Sequence, residues 1–253
     1  MQLIGIIPAR YASTRFPAKA LVDIGGKSMV ERVYEQASKA KSLSKVVVAT
    51  DHPLIFDHVQ AFGGDVVMTS EHHPSGTDRC HEAFVKIQAQ LPPNTQDATP
   101  TYILNIQGDE PFIQPEQIEL LTSLLNGKVE IATLVKVIED EATLFSPNTP
   151  KVVINEQQEA LYFSRQTIPQ LRGVNPQEWL QHHTFYKHLG IYAYRSDILE
   201  RLTQLTPSSL EKAEALEQLR WLENGYRISV VVTPYDSHGV DVPDDLERVK
   251  KFL

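Results

Sequence analysis

Three cations near the N-terminus are the side chains in this sequence best suited to chemistry. Arg10, Arg15 and Lys19 follow one another closely, and no acidic residue precedes Asp23. Like charges at this spacing repel one another unless an anion lies among them. Arginine binds phosphate as a two-pronged fork, whereas lysine binds it as a point charge. The pattern predicts a polyphosphate site, and a solvated basic loop is the alternative.

Carboxylates form the second chemical centre. Asp109 lies beside Gly108 directly after the apolar run at 102–106, and Asp241 follows another apolar stretch late in the chain. An aspartate at the carboxyl end of a core strand is well placed to hold Mg²⁺ against phosphates. Glu110 precedes Pro111 and is the weaker candidate; a capping or turn role is the alternative for Asp109. We expect Asp109 and Asp241 to share one Mg²⁺ site, because the carboxyl ends of parallel strands gather at one sheet edge.

The elements that must position these residues follow an α/β pattern. The apolar run at 3–7 stops at Pro8, which predicts a strand buried on both faces. Strands near 45–50 and 65–69 alternate with helices, and this order predicts a parallel sheet. The first turn has no G-x-G-x-x-G, which excludes a dinucleotide-binding fingerprint. Two adjacent histidines, His72 and His73, are poor shared metal ligands because successive side chains diverge.

The second half is expected to share the sheet and to add a lid or interface layer. Strands are predicted at 131–138 and 189–194, a hairpin at 152–154 and 160–165, and one helix over 209–224 closed by Gly225. The polar segment at 170–183 is interpreted as an irregular excursion with an exposed Trp179. A polar, proline-rich surface loop is predicted at 92–100.

Composition narrows the functional class. The chain has 253 residues and a net charge of −8, which argues against general nucleic-acid binding. Cys80 is the single cysteine, so the chain has no internal disulfide and suits a reducing compartment. No apolar run approaches the roughly 18 residues of a membrane span. These features predict a cytoplasmic protein without membrane insertion.

Eight motifs in order carry a family resemblance. The stretch PARYASTRFPAK closely resembles the signature of 3-deoxy-manno-octulosonate (Kdo) cytidylyltransferases. The other blocks are ATDH at 49–52, SGTDR at 75–79, NIQGDEP at 105–111, ALYFSR at 160–165, KHLGIYAYR at 187–195, LEQLRWLENG at 216–225 and GVDVPDDLERV from 239 onward. Ala18 and Ala20 depart from the pattern, which has glycine and proline there.

The resemblance implies a Rossmann-like, GT-A-like nucleotidyltransferase fold with a central, mostly parallel mixed sheet flanked by helices. It implies one domain over 1–253, with a nucleotide-binding part at about 1–125 and a sugar-binding and dimerisation part at about 126–253. The implied reaction joins Kdo to CTP, giving CMP-Kdo and diphosphate for lipopolysaccharide biosynthesis. The implied assembly is a homodimer, and the segment 170–183 is predicted to contribute to its interface.

The resemblance also implies residue roles. Ala9, Arg10, Ser75, Gly76 and Arg79 would surround the cytidine, and Arg15 and Lys19 would hold the triphosphate. Gln107, Arg165, His188, Tyr192, Glu217 and Gln218 would bind the sugar acid. Asp109 and Asp241 would ligate Mg²⁺ and, together with Lys19, form the catalytic set.

Several alternatives stay open at this point. His188 could be a hydrogen-bonded core histidine, Glu217 a helix-surface charge and Arg79 an ordinary helix-end residue. The sugar could be 8-amino-3,8-dideoxy-Kdo or a sialic acid. A nucleotide- or sugar-binding regulatory protein on the same scaffold is the more distant alternative, and it would need neither metal carboxylate.

Overall fold

A nine-stranded mixed sheet runs through the computed structural model, which describes residues 1–12, 16–90 and 100–253. Arg15 and most of the predicted loop at 92–100 lie outside these residues. The strands are β1 (Gln2–Ala9), β2 (Lys45–Thr50), β3 (Val66–Met68), β4 (Thr101–Asn105), β5 (Ile131–Val137), β6 (Lys151–Ile154), β7 (Ala160–Ser164), β8 (Tyr186–Arg195) and β9 (Ile228–Val232).

The strand order is β3-β2-β1-β4-β8-β5-β9, and β6 pairs with β7 and β8. All pairings among β1–β4 are parallel, β8 runs antiparallel to β4 and β5, and β5 is parallel to β9. The predicted mostly parallel mixed sheet is therefore confirmed. Because β8 lies between β4 and β5, both halves of the chain share one sheet. A boundary near residue 125 stays a prediction.

Helices cover both faces of this sheet. They are α1 (Met29–Ala37), α2 (Pro53–Ala61), α3 (Gly76–Ala89), α4 (Pro115–Thr122), α5 (Glu141–Phe145), α6 (Trp179–His182), α7 (Ser196–Thr203), α8 (Ser209–Glu214), α9 (Gln218–Glu223) and α10 (Asp244–Lys250). Alternate residues of β1 enter the two cores: Leu3 and Ile7 pack on the face of α1 and α4, Ile4 and Ile6 on the face of α3 and α7. The predicted burial of β1 on both faces is confirmed.

Two expectations were wrong. The helix predicted over 209–224 is broken at Ala215, whose φ of 50° is left-handed and ends α8. Trp179 is only 8% exposed, because its ring packs between Phe145 and Phe185 and its Nε1–H donates to the Val174 carbonyl. Trp179 thus stabilises the local fold of its own segment. The polar residues around it in the sequence gave no indication of this burial.

Candidate active site

The end of β1 opens into the candidate site. Ala9 is the last residue of the strand, and the exposed Arg10 follows it. The N–H of Tyr11 donates to Asp51 Oδ1 over 3.1 Å, and the Tyr11 carbonyl accepts from Ala18 N–H over 3.1 Å. These two bonds fix the base of the cationic loop against the end of β2.

The turn after β4 lies directly against the end of β1. A Cβ atom on Gly108 would stand 2.6 Å from the Pro8 carbonyl oxygen, a distance that no side chain tolerates. Glycine at this position therefore permits the close approach that brings Asp109 beside the cationic loop.

Lys19 lies between the two predicted metal ligands. Its Nζ is 2.8 Å from Asp109 Oδ2 and 3.6 Å from Asp241 Oδ1. The late carboxylate arrives there because Val240, fully buried against Phe112, donates its N–H to the Asp109 carbonyl over 2.9 Å. Two aspartate carboxylates therefore lie near the Lys19 ammonium group. This pair also suits Mg²⁺, which usually takes one or two protein carboxylates beside phosphate oxygens and water. Among the described residues, no group of three or more His, Cys, Asp or Glu could hold a metal ion.

A pocket of about 300 Å³ joins these parts. The predicted residues that line it are Ala9, Arg10, Lys19, Ser75, Gly76, Arg79, Gln107, Asp109 and Asp241. Ser75 caps α3, accepting from Asp78 N–H over 3.2 Å, so the first amides of this helix stand beside the pocket. Helix N-termini favour anions.

Arg79 lines the pocket, but its guanidinium belongs to a buried network. Its Nη2 lies 2.8 Å from Asp51 Oδ2, and its Nη1 donates to Thr69 Oγ1 over 2.7 Å. Arg79 is 4% exposed. Asp51 thereby links α3 to the backbone of Tyr11. Asp51 belongs to the ATDH block, and its place directly after β2 is the sequence signal for this unpredicted role.

His73 is a second pocket residue for which the sequence pattern predicted no role. Its ring contacts the Glu82 carboxylate, which also accepts from Ser70 N–H. Partial burial raises the pKa of Glu82, but hydrogen bonds from Lys86, Ser70 and His73 outweigh it and hold the pKa at about 2. The charged carboxylate fixes the imidazole at the pocket wall.

The predicted sugar residues divide into two groups. Gln107 lines the pocket, and its Nε2 donates to the Gly190 carbonyl over 2.7 Å. His188 lies deeper, with Nε2 3.0 Å from Thr133 Oγ1, and burial lowers its pKa to about 3. His188 is therefore a neutral, hydrogen-bonded histidine in this structure.

Three other predicted sugar residues lie near α3 and α9. Glu217 accepts from Thr77 Oγ1 over 3.0 Å, and burial raises the pKa of its carboxyl group. The Tyr192 hydroxyl and Gln218 Nε2 are buried and make no hydrogen bond within the described chain, and the same holds for Asn105 Oδ1. Most buried polar groups are paired, so these unpaired atoms require an explanation.

Arg165 is not among the pocket residues. Its guanidinium donates to the carbonyls of Pro147, Glu214 and Ala215 at 2.7–3.2 Å. The carbonyls of Glu214 and Ala215 lie at the left-handed residue that ends α8. The break in the predicted helix therefore supplies two of the hydrogen-bond acceptors of Arg165.

Comparison with known proteins indicates a family for the chain. The cytidylyltransferase family model matches residues 4–228. A 3-deoxy-manno-octulosonate cytidylyltransferase of Cytophaga hutchinsonii is 55% identical over 98% of this chain and 96% of its own. The chain belongs to the 3-deoxy-manno-octulosonate cytidylyltransferase family. Another relative of that name, from Parabacteroides distasonis, is 54% identical over 100% of this chain and 98% of its own.

Solved structures support the same membership. A CMP:2-keto-3-deoxy-manno-octonic acid synthetase complexed with CTP superposes with a TM-score of 0.88 at 40% identity, covering 100% of this chain and 98% of its own. A 4-diphosphocytidyl-2C-methyl-D-erythritol synthase from Anaerococcus prevotii, at 12% identity and a TM-score of 0.60, shares the fold alone. Within the described residues, no helix combines the length and apolar character needed to cross a bilayer.

Proposed function

We propose that this protein is the enzyme that couples Kdo to CTP, forming CMP-Kdo and diphosphate. The observation that carries the proposal is the Lys19 ammonium between Asp109 and Asp241, in a pocket that also holds Arg10 and the start of α3. Kdo is favoured over its 8-amino analogue or a sialic acid, since relatives of 54–55% identity are named for 3-deoxy-manno-octulosonate.

The nucleotide half of the mechanism follows from the charges. The anomeric hydroxyl of Kdo attacks the α-phosphate of CTP, and negative charge builds on the departing diphosphate. Arg10 and Lys19 stabilise that charge, and amides at the start of α3 orient the nucleotide. Asp109 and Asp241 would hold Mg²⁺, which when bound neutralises phosphate charge.

The sugar half uses the polar atoms that the fold leaves unpaired. Kdo carries several hydroxyl groups, which would satisfy Tyr192 Oη and Gln218 Nε2 on entering the site. Glu217 would accept from a sugar hydroxyl beside them. Arg165 has five N–H groups, of which three are used by backbone carbonyls, so two remain for the sugar carboxylate.

A single assay separates an enzyme from a binding protein on this scaffold. We expect diphosphate release from CTP that depends on Kdo and on Mg²⁺, with weaker release for the 8-amino analogue and for sialic acids. Nucleotide binding without Kdo-dependent release would contradict the proposal and favour a regulatory protein. A preference for another sugar acid would keep the reaction class and change the substrate.

We also propose a homodimer whose contact includes the C-terminal end of the predicted 170–183 segment. With Trp179 buried, its ring no longer motivates the contact. An open groove of about 710 Å³, lined by both apolar and polar side chains, lies between β6, β7 and residues 180–186, and Leu161 in its lining is 59% exposed. Leu161→Glu should convert the dimer to a monomer in light scattering, whereas Leu210→Glu, on α8, should not. A wild-type monomer at micromolar concentration would reject the dimer.

A cytoplasmic location also belongs to this proposal. CTP is an intracellular metabolite, and Cys80 is a fully buried free thiol, as expected for a protein kept in a reducing compartment. Fractionation that recovered the protein outside the cytoplasm would contradict it.

A further inference from the structure

The segment that delivers Asp241 to the pocket has no regular secondary structure. It begins at Thr233, whose N–H donates to the Val135 carbonyl over 2.8 Å, and reaches Val240, whose N–H donates to Asp109 over 2.9 Å. Arg248 adds a 2.9 Å bond to the Gly239 carbonyl. The path of residues 233–241 therefore decides where the Asp241 carboxylate stands.

Asp236, in the middle of this segment, is held by two lysines of the central sheet. Lys136 Nζ lies 2.5 Å from Asp236 Oδ2, and Lys187 Nζ lies 2.8 Å from Asp236 Oδ1. Lys136 and Lys187 are register partners on β5 and β8. Each oxygen has its own lysine, so the carboxylate is fixed in orientation as well as position.

We call the arrangement of Asp236 between Lys136 and Lys187 the Asp236 clamp. Three features distinguish this clamp from an ordinary surface ion pair, which contributes little to stability. The lysine side chains are only 12% and 20% exposed, whereas the Asp236 side chain is 41% exposed, so the two cations are the shielded partners. They are neighbours in one sheet, and their charges would repel each other without the carboxylate between them. Partial burial raises the pKa of Asp236, but its bonds to both lysines outweigh this and lower the pKa below its ordinary value.

Asp236 does not line the candidate pocket. We propose that Asp236 is a positioning residue: clamped by Lys136 and Lys187, it sets the path of residues 233–241 and so holds Asp241 beside Lys19 and Asp109. Through Lys136 and Lys187, the clamp holds the segment that carries Asp241 against β5 and β8 of the central sheet. The inference rests on the proposed function for its effect on catalysis, but the positioning itself is a property of the protein without metal or substrate.

Asp236→Asn keeps the shape of the side chain and removes its charge. The matched control is Asp197→Asn, since Asp197 also takes two hydrogen bonds, at 2.6 and 3.0 Å, from one cationic residue, Arg195 at the far end of β8. Asp236→Glu retains the charge and should restore part of the wild-type behaviour.

The first measurement is amide hydrogen exchange of the metal-free protein. In Asp236→Asn, exchange at Val240 should rise about tenfold or more, the scale of one lost charge-assisted hydrogen bond, while β9 stays protected. The second is the Mg²⁺ concentration for half-maximal diphosphate release, which should rise by a similar factor with little change in the KM for Kdo. Asp197→Asn should leave the exchange at Val240 and the half-maximal Mg²⁺ concentration unchanged, even where its Tm falls as much as that of Asp236→Asn.

Unchanged exchange at Val240 in Asp236→Asn would overturn the inference, and so would equal effects in Asp197→Asn. If wild-type activity proves independent of Mg²⁺, the proposed metal role fails, but the exchange result still decides whether Asp236 positions the segment. If Asp236→Asn is too unstable to study, Lys187→Gln should show a smaller rise in exchange at Val240, because Lys136 still holds Asp236; no rise there would count equally against the inference.

Discussion

The Lys19 ammonium nitrogen lies 2.8 Å from Asp109 Oδ2, a contact between side chains 90 positions apart in the sequence. Lys19 is 15% exposed and also stands 3.6 Å from Asp241, so one cation is shared by two carboxylates. A charge placed in this way can bind a phosphate and keep the two acidic side chains together. Both roles can be tested by removing it.

Lys19→Gln should weaken CTP binding by about 1.5–3 kcal/mol, the value of a hydrogen bond to a charged group. Calorimetric titration with CTP measures the loss. Lys27→Gln is the matched control, because Lys27 pairs with Glu35 away from the pocket and should leave CTP affinity unchanged. Equal affinities in wild type and Lys19→Gln would remove Lys19 from the nucleotide site.

Asp109→Asn and Asp241→Asn should each preserve the fold and abolish most Mg²⁺-dependent turnover. If both residues act through one ion, the double variant should be little worse than the worse single variant. Diphosphate release at increasing Mg²⁺ concentration is the measurement. Losses that multiply as independent effects, or full activity in Asp241→Asn, would show that the two carboxylates do not share a metal.

Ala18→Gly should stabilise the protein, by up to about 1 kcal/mol, because Ala18 has a φ of 54° and L side chains are strained in the left-handed region. The family signature has glycine at this position. Urea unfolding measures the gain, with Ala37→Gly as the control in the regular helix α1, where glycine should instead destabilise. A loss of stability in Ala18→Gly would mean that the strain is absent.

Tyr192→Phe separates a sugar contact from a structural one. The Tyr192 hydroxyl is buried without a partner in the described residues, so its removal should leave stability unchanged or raise it by about 1 kcal/mol, while the KM for Kdo rises about tenfold. Tyr102→Phe is the control: its hydroxyl donates to the Val129 carbonyl over 2.8 Å, so its loss should destabilise without affecting Kdo. An unchanged KM in Tyr192→Phe would remove this hydroxyl from the sugar site.

His188 should make stability depend on pH. Burial lowers its folded pKa to about 3, whereas an unfolded histidine titrates near 6.5, so between these values the unfolded chain binds the extra proton. The contribution is therefore complete above pH 6.5 and falls as the pH drops towards 3, by at most about 1.4 kcal/mol per pH unit. Urea unfolding from pH 7.5 to 4.5 should show a smaller slope in His188→Gln. His72→Gln, at an exposed position, should match the wild type.

Local pattern accounts for the parts of the site that lie on single strands. The apolar runs before Pro8 and Gln107 predicted two strands; Arg10 follows the first strand, Asp109 lies in the turn after the second, and both residues line the pocket. The prediction of one helix over 209–224 was wrong, although its residues suit a continuous helix. Ala215 adopts a left-handed conformation, and its carbonyl and that of Glu214 accept hydrogen bonds from Arg165. Propensity is a weak prior that such contacts override.

The amino-acid sequence was sufficient to predict the α/β class, the family and the chemical types at the site, because strand periodicity and motif order are local properties. Which of these groups meet depends on the tertiary structure. The Val240–Asp109 hydrogen bond, the Asp51–Arg79 pair and the clamp on Asp236 all join residues far apart in the chain. The contacts of Asp236 depend on the pairing of β5 with β8, and the Asp51–Arg79 pair depends on how α3 packs beside the end of β2. No local pattern encodes the distance between two side chains on different elements.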